Sequence, residues 1–350
     1  MSLLQLWSQA VANVNWHACM VNSHAAALFV VYLFWYFNFH LPCVSAKNAV
    51  LKQRSIQKSH SSKQKVQVKK GNVNWLNDLP DPIPSTSSES DEEEDKDIAL
   101  EKACPDATAM ERQRFLTARG GSLSGAKRSL AHYVQWVHKL EEIARQYSIQ
   151  RATTGNRDVD IWNEACAIAL KARDEPLETT LPQVIRTHRI EGSDVTDLQG
   201  YRIFHIIPAQ MDDKLAKTST YALATSVYIN LHLDREEGER VTVCMDVRAG
   251  RGWPNIHALR LIPFMQQTTT LLLRLFPERL HRCILYPVPS SFLWVWRMVS
   301  KVIDPLTKDK ICLLSGPNKI VAPPPFDQMY EYMEESVAKL LEDSRIAAFK

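Results

Sequence analysis

Two cations on an otherwise apolar helix are the residues of this sequence best placed to do chemistry. Arg297 and Lys301 lie four residues apart in the segment 292–303, so a helix brings them to one side. Almost every other residue of that segment is large and apolar. A helix with no broad polar face must be buried in a core, in a membrane or against an apolar molecule. The pattern therefore predicts a lid over an amphiphile with an anionic head.

The sequence offers no support for catalysis. Gly121 and Gly125 have the spacing of a hydrolase nucleophile elbow, but Leu123 stands where the serine would be. The seven cysteines show no C-x-x-C spacing, which disfavours metal and redox sites. Gly250 and Gly252 lack the third glycine of a dinucleotide-binding loop. We expect no enzymatic activity, no metal and no cofactor.

The composition agrees with a large folded unit carrying tails. The chain has 350 residues, more than the ~100–200 of one domain. Its hydrophobic content of 45% is enough for a real core. The 42 basic and 39 acidic residues give a formal net charge of +3, too small to indicate a nucleic-acid partner.

The lid segment lies between two short apolar runs, at 283–286 and 311–314, which read as strands. The sequence Phe-Pro-Glu-Arg at 276–279 precedes the first run. The lid ends in Ile-Asp-Pro-Leu-Thr at 303–307, and the segment 310–316 follows it. This combination resembles the CRAL-TRIO lipid-binding family, most clearly over residues ~190–320. That family includes fungal phosphatidylinositol-transfer, retinaldehyde-binding and α-tocopherol-transfer proteins.

The resemblance implies an α/β fold: a largely parallel sheet covered by helices, with a gated hydrophobic pocket and a small all-helical subdomain before it. The gate would be the helix from Phe292 to Ile303, closing over one lipid or hydrophobic small molecule. The residues expected to contact that ligand are Phe264, Leu271, Tyr286, Phe292, Trp296, Val299 and Ile303.

We expect Arg297 and Lys301 to bind the head group, and the resemblance supports Arg297 by position. Arg297 lies seven residues before Asp304, where the fungal phosphatidylinositol-transfer proteins also have arginine. Their head-group lysine corresponds to Ser300, with Lys301 one place on, and their acidic partner corresponds to Gln267. These departures leave two ligand classes open, an acidic phospholipid and a neutral molecule of the retinoid or tocopherol type. Another alternative for Arg297 is an ion pair that stabilises the fold and closes the gate.

The N-terminal segment 1–46 contains thirteen consecutive apolar residues, from Ala25 to Phe37. A helix of that length covers ~20 Å of a ~30 Å hydrocarbon core, so a spanning helix would need flanking polar residues. A single membrane anchor, a signal peptide cleaved after Ala46, an interfacial segment and a mispredicted start of the chain are the alternatives. The basic residues from Lys47 to Lys70, with no acid among them, favour a cytoplasmic flank and contact with acidic phospholipids.

We divide the rest of the chain by composition. Residues 47–107, basic and then acidic with a proline-rich centre, are expected to form a disordered linker. A helical subdomain at 108–190 opens with a capping box from Thr108 to Glu111. The segment 181–193 is expected to be a connector, the lipid-binding domain to occupy 191–322, and residues 323–350 to form one amphipathic helix packed on it. Strands are expected at 201–207 and 240–247, and helices at 215–234 and 256–276.

The sequence therefore predicts a protein that binds one lipid in a gated pocket and transfers or presents it at membranes. Phospholipid is the favoured ligand, and a non-transferring sensor or a carrier of a neutral ligand is the alternative. The expected location is the cytoplasmic face of an endomembrane, with or without a single-pass anchor. If the N-terminal segment does not insert, the chain is expected to be soluble in the cytoplasm.

Overall fold

The computed structural model describes residues 93–176, 180–250, 258–288, 293, 309–317 and 322–350. The predicted anchor, the basic segment 47–70 and the lid residues other than Leu293 lie outside these ranges. Within them, no helix has both the length and the apolar content needed to cross a membrane.

The N-terminal part of the described chain is a bundle of four helices. They are α1 (Glu93–Ala103), α2 (Ala109–Ala118), α3 (Leu123–Gln146) and α4 (Arg157–Ala172). The predicted capping box is confirmed: the Thr108 hydroxyl accepts from the Glu111 amide, and the Glu111 carboxylate accepts from the Thr108 amide at 3.0 Å. After α2 the chain turns through Gly120 and Gly121 at φ of 59° and 79°, a conformation that favours glycine.

Helix α1 corrects the expectation that residues 47–107 form a disordered linker throughout. Leu100 is fully buried, and Cys104 and Ala107 are also in the core. Asp97 accepts hydrogen bonds from Arg112 of α2 at 2.7 and 3.0 Å. The acidic run dominated the sequence pattern of this segment. Three small or apolar side chains after that run are nevertheless enough to dock the helix, because α2 and α3 supply the surface against which they pack.

The described residues of the C-terminal part contain a five-stranded sheet. Strands β1 (Ile185–Arg186), β4 (Arg202–Ile206), β5 (Val241–Asp246), β6 (Leu280–Val288) and β7 (Ile311–Ser315) are hydrogen-bonded in that order. Only the edge strand β1 is antiparallel, pairing Ile185 with Ile206. The predicted α/β class with a largely parallel sheet is confirmed. A separate short ladder joins β2 (Arg189–Ile190) to β3 (Ser193–Asp194).

The edge strand changes the interpretation of residues 181–193. They were expected to be a connector, but they contain both β1 and β2. Each strand has only two residues, too few for a hydrophobic period to appear in the sequence.

Helices cover both faces of the sheet. Helix α5 (Thr218–His232) and helix α6 (Ala258–Leu275) belong to the first face, with the four-helix bundle in the same apolar core. The second face carries α7 (Phe326–Met329) and α8 (Glu335–Ala348). All six residues of β5 are therefore buried, although Thr242, Cys244 and Asp246 alternate with larger apolar residues.

The C-terminal segment packs on the domain as expected, but as two helices. Its buried face is formed by Met329, Met333, Val337, Ala338 and Leu341. The helix is interrupted between Met329 and Glu335. Helix α6, by contrast, continues through Pro263 to Leu275.

Candidate functional site

Helix α6 presents a buried stripe to the first face of the domain. Phe264, Thr268, Leu271 and Leu275 recur at helical spacing and are all almost completely buried. Two of the predicted ligand residues, Phe264 and Leu271, therefore lie on the same side of one helix. Leu273, on another side, is 61% exposed.

The sheet contributes the opposing apolar surface. Val243, Met245 and Leu285 belong to the same core cluster as Phe264 and Leu271. Towards the β7 edge this surface is only half-buried, at Cys283, Ile311 and Leu313. Leu293, the described residue of the lid segment, also packs partly buried against this cluster. The first face therefore presents the apolar groups that a hydrophobic ligand would contact.

Tyr286 is not brought together with the other two predicted residues. It belongs to the apolar cluster on the second face of the sheet, with Ile284 and Leu314. The reason is the alternation of side chains along β6, which sends Leu285 to one face and its neighbours to the other. The remaining predicted residues, Phe292, Trp296, Arg297, Val299, Lys301 and Ile303, lie outside the described residues.

Two polar atoms interrupt the α6 surface. The Thr268 hydroxyl and the Gln267 side-chain oxygen are buried, and neither has a hydrogen-bond partner in the described part of the chain. Unpaired buried polar atoms are rare and costly, about 1–3 kcal/mol each. Sequence reasoning noted Gln267 only as a departure from the family pattern and did not single out Thr268. Its position at the centre of the 264–275 stripe is the signal that could have found it.

On the second face, Tyr286 ends a chain of buried side chains that the sequence did not predict. Its hydroxyl lies 3.2 Å from Nε2 of His205, and Nδ1 of His205 lies 3.3 Å from Nε2 of His188. Burial lowers the pKa of His205 far below its ordinary value, and the nearby His188 adds to the effect. Burial also lowers the pKa of His188, to about 4. Both imidazoles are therefore neutral at pH 7.

A buried ion cluster anchors α8 to the carboxyl end of β5. Asp246 accepts from Arg248 at 2.5 Å and lies 3.1 Å from Arg345, and Arg248 also pairs with Glu342. Burial opposes the charge of Arg248, but its bonds to Asp246 and Glu342 raise its pKa above the ordinary value. Each cation has an acidic partner, so the cluster is self-contained and serves the fold.

The described cysteines are all free thiols. Burial raises the pKa of Cys244 and Cys283, to about 12 for the latter, so both behave as small apolar groups. No group of histidine, cysteine and carboxylate side chains suited to a metal ion occurs in the described ranges.

Comparison with known proteins identifies the domain. Residues 186–339 match the family model of the CRAL/TRIO domain. The chain therefore contains a CRAL-TRIO domain. The crystal structure of Sfh5 is similar to it with a TM-score of 0.40 and 14% identity, over 67% of this chain and 72% of that one. No curated protein matches the chain.

The presence of a CRAL-TRIO domain supports the binding and transfer of lipids or other hydrophobic molecules in general. Proteins of the family are in general not enzymes. The family match begins at 186, inside the predicted helical unit 108–190, and ends inside the predicted C-terminal unit 323–350. The bounds of 191–322 for the lipid-binding domain remain a prediction.

Proposed function

We propose that this chain holds one lipid or other hydrophobic molecule between α6 and the first face of the sheet, and transfers it between membranes or presents it there. The observation that carries the proposal is the CRAL/TRIO domain over 186–339, whose α6 turns a buried apolar stripe towards the sheet. Burial of apolar ligand surface against such a wall is favourable by about 25 cal/mol per Å².

In this proposal the segment 292–303 is the gate. Phe292, Trp296, Val299 and Ile303 contact the ligand from the gate side, opposite Phe264 and Leu271. Arg297 and Lys301 meet an anionic head group at the mouth. Tyr286, on the second face, keeps a structural role and does not touch the ligand.

A phospholipid is the favoured ligand because of the two gate cations. A second candidate is a neutral molecule of the retinoid or tocopherol type, and one structural feature supports it. The unpaired polar atoms on α6, from Thr268 and Gln267, are both uncharged and suit a hydroxyl or carbonyl group better than a phosphate.

Ligand identification tests the proposal directly. The purified full-length chain is extracted with organic solvent, and the extract is analysed by mass spectrometry. We expect about one hydrophobic molecule per chain, and its head group decides between phospholipid and neutral ligand. Transfer from labelled donor to acceptor vesicles then separates a carrier from a sensor. A chain that carries no hydrophobic molecule and takes none up from vesicles contradicts the proposal.

We also propose that the N-terminal region brings the domain to a membrane. The hydrophobic segment 25–37 would anchor it, and the basic stretch from Lys47 to Lys70 would hold acidic phospholipids on the cytoplasmic side of an endomembrane. Carbonate extraction tests this arrangement. The full-length chain should remain in the pellet, and deletion of residues 1–46 should release it. Release of the full-length chain would rule out an integral anchor.

A further inference from the structure

A polar cavity of about 800 Å³ lies apart from the α6 stripe. It is bounded by the N-terminus of α4, by β1 and β2, and by the C-terminal end of α5. Its lining includes Arg157, Asp158, Arg186, His188, Arg202 and His232. None of these residues belongs to the site proposed for the hydrophobic ligand.

Arg186 lies in this cavity as a cation that forms no ion pair with any described acidic residue. Its guanidinium donates to the Gln183 carbonyl at 2.7 Å, to the Ser344 hydroxyl at 3.3 Å and to the Gln210 side chain, all of them neutral. Its Nε is buried and has no acceptor within the described chain. Burial lowers the pKa of Arg186 in spite of the nearby Asp158. A buried charge without a counter-ion is unfavourable, so this site gains from an added anion.

The nearby carboxylate of Asp158 is committed elsewhere. It accepts from the Thr187 amide at 2.9 Å and the Thr187 hydroxyl at 2.8 Å, and also from Gln183 and Tyr228. Three of these donors reach Oδ1 and one reaches Oδ2. No hydrogen bond or ion pair joins Asp158 to Arg186 in the described part of the chain, although the carboxylate stays close enough to act on the charge of Arg186.

His232 adds an unused polar atom to the same cavity. Its side chain is only 6% exposed, and its Nε2 lies 3.7 Å from Asp158 Oδ1, too far for a hydrogen bond. No other described residue accepts from or donates to that nitrogen. Burial lowers the pKa of His232 to about 4, so the ring is neutral at pH 7 and its Nε2 can carry a proton to donate.

Helix α4 directs its N-terminus at the cavity, with Asn156, Arg157, Asp158 and Val159 among the lining residues. The N-terminus of a 16-residue helix carries partial positive charge, which favours an anion. The Asn156 side chain caps the Val159 amide, and Asp158 and Asp160 lie in the first turn. Arg157, the first residue of α4, is exposed and forms no ion pair with any described group.

The other charged lining residues restrict the anion to the α4 end. Arg189 and Arg202 each lie 3.4 Å from Asp194, and Arg202 is also 2.9 Å from Glu239. Asp234 and Glu237 line the cavity from the loop after α5 and repel an anion there. The four arginines and four carboxylates that line the cavity give it a formal net charge of zero. The place where an anion binds is therefore decided by which of these charges are paired with one another.

We infer that this cavity binds a phosphate group, held by Arg186, Arg157 and the N-terminus of α4, with His232 Nε2 as a further donor. The phosphate group belongs to a small soluble molecule, because the cavity is polar and is separate from the hydrophobic site. Guanidinium groups and a helix N-terminus are the recurring protein ligands of phosphate.

Calorimetry with the full-length chain tests this inference, using inorganic phosphate and glycerol 3-phosphate as probes. Chloride at the same ionic strength is the reference. We expect saturable binding of both phosphates, weakened at least tenfold by Arg157→Gln and by Arg186→Gln. Arg157 is exposed, so its replacement tests the site even if Arg186→Gln unfolds the chain. Arg151→Gln is the matched control, because Arg151 is a partly exposed arginine before α4 that pairs with Glu164 outside the cavity.

Two further measurements separate this site from alternatives. The imidazole NMR signals of His232, assigned with His232→Gln, should titrate at higher pH when phosphate is present. Phosphatidylcholine vesicles with and without phosphatidic acid distinguish a soluble phosphate from a lipid head group. Binding to phosphatidic acid vesicles without binding of soluble phosphate overturns the inference. Phosphate binding that is equal in the Arg157, Arg186 and Arg151 variants overturns it as well.

Discussion

The buried carboxylate of Glu111 lies 2.8 Å from Nε of Arg235, and this pair joins the helical subdomain to the α/β domain. Arg235 also donates to Glu111 Oε2 and to the Asp106 carbonyl, both at 3.0 Å. The Thr108 hydroxyl donates in turn to the Arg235 carbonyl at 2.9 Å. The capping box of α2 is thus part of the contact between the two units.

Removing the arginine should therefore destabilise the whole fold. Arg235→Ala leaves Glu111 charged, fully buried and without its cation, a change that costs about 3–5 kcal/mol. Urea unfolding followed by circular dichroism measures this loss. Lys139→Ala is the control, because Lys139 pairs with Glu142 at 2.9 Å on the surface, where such pairs contribute about 0–1 kcal/mol. Equal losses in the two variants would mean that the units are not joined through this pair.

Stability should fall as the pH is lowered from about 6.5 towards 4. The pKa values of His188 and His232 are lowered to about 4 from an ordinary 6.5, first by burial. Between these values the unfolded chain binds protons that the folded chain does not, so stability is complete above 6.5 and decreases below it.

Urea unfolding at pH 7.5, 6.0 and 5.0 measures this effect before most carboxylates are protonated. Replacing His188 or His232 by glutamine should flatten the decrease. His138→Gln, which removes a half-exposed ring, should keep the slope of the unchanged chain. A pH-independent stability over this range would show that the two imidazoles titrate in the folded chain as they do in the unfolded chain.

The sequence predicted the elements whose interacting residues lie close together along the chain, and it missed those whose partners lie far apart. The Thr108–Glu111 box and the strand at 241–246 depend on neighbours a few residues away, so their patterns are visible locally. Helix α1 and the strand pair of Ile185 with Ile206 depend on partners that the fold brings from elsewhere in the chain.

The candidate site divides in the same way. The resemblance named Phe264 and Leu271 as ligand residues, and their spacing of seven residues places both on one side of the predicted helix. It could not assign Tyr286 to a face of the sheet, because that depends on the register of β6 against its neighbours. The cavity at α4 gathers Arg157, Arg186 and His232 from three separate elements, so no sequence motif announces it.

Helix α1 should be essential for stability in spite of its acidic composition. Leu100→Ala removes a fully buried side chain and is expected to lower the free energy of unfolding by about 2–5 kcal/mol. Ile98→Ala on the same helix is the control, since Ile98 is 58% exposed and its truncation should have an effect below about 1 kcal/mol. Both variants are compared by urea unfolding.

Limited proteolysis examines the same helix in the native chain. The stable fragment should begin before Glu93, since cleavage inside α1 requires Leu100 to leave the core. A stable fragment that begins near Thr108 would show that α1 does not pack on the bundle.

The proposed gate predicts a separation between ligand loading and folding. Trp296→Asp introduces a charge at the expected ligand face and should abolish loading, measured by mass spectrometry of the extract, with an unchanged circular dichroism spectrum. Arg297→Ala with Lys301→Ala should weaken an acidic phospholipid at least tenfold, which corresponds to ~1.4 kcal/mol, and leave a neutral ligand bound. If the double variant keeps its affinity for acidic lipid and unfolds at a lower temperature, the two cations are structural.

Removing the hydroxyl of Thr268 should raise the stability of the chain and weaken its binding of the ligand. Thr268→Val keeps the shape of the side chain and removes a buried polar atom that has no partner among the described residues, so the ligand-free chain should become more stable, by about 1 kcal/mol. If the hydroxyl pairs with the ligand, the same change should weaken binding several-fold.

Thr225→Val is the matched control: Thr225 is a fully buried threonine of α5 with an equally unpaired hydroxyl, outside the α6 stripe. It should stabilise the chain and leave ligand loading unchanged. Thermal unfolding of ligand-free protein and uptake of ligand from vesicles measure the two effects, and equal uptake by both variants would exclude Thr268 from the ligand site.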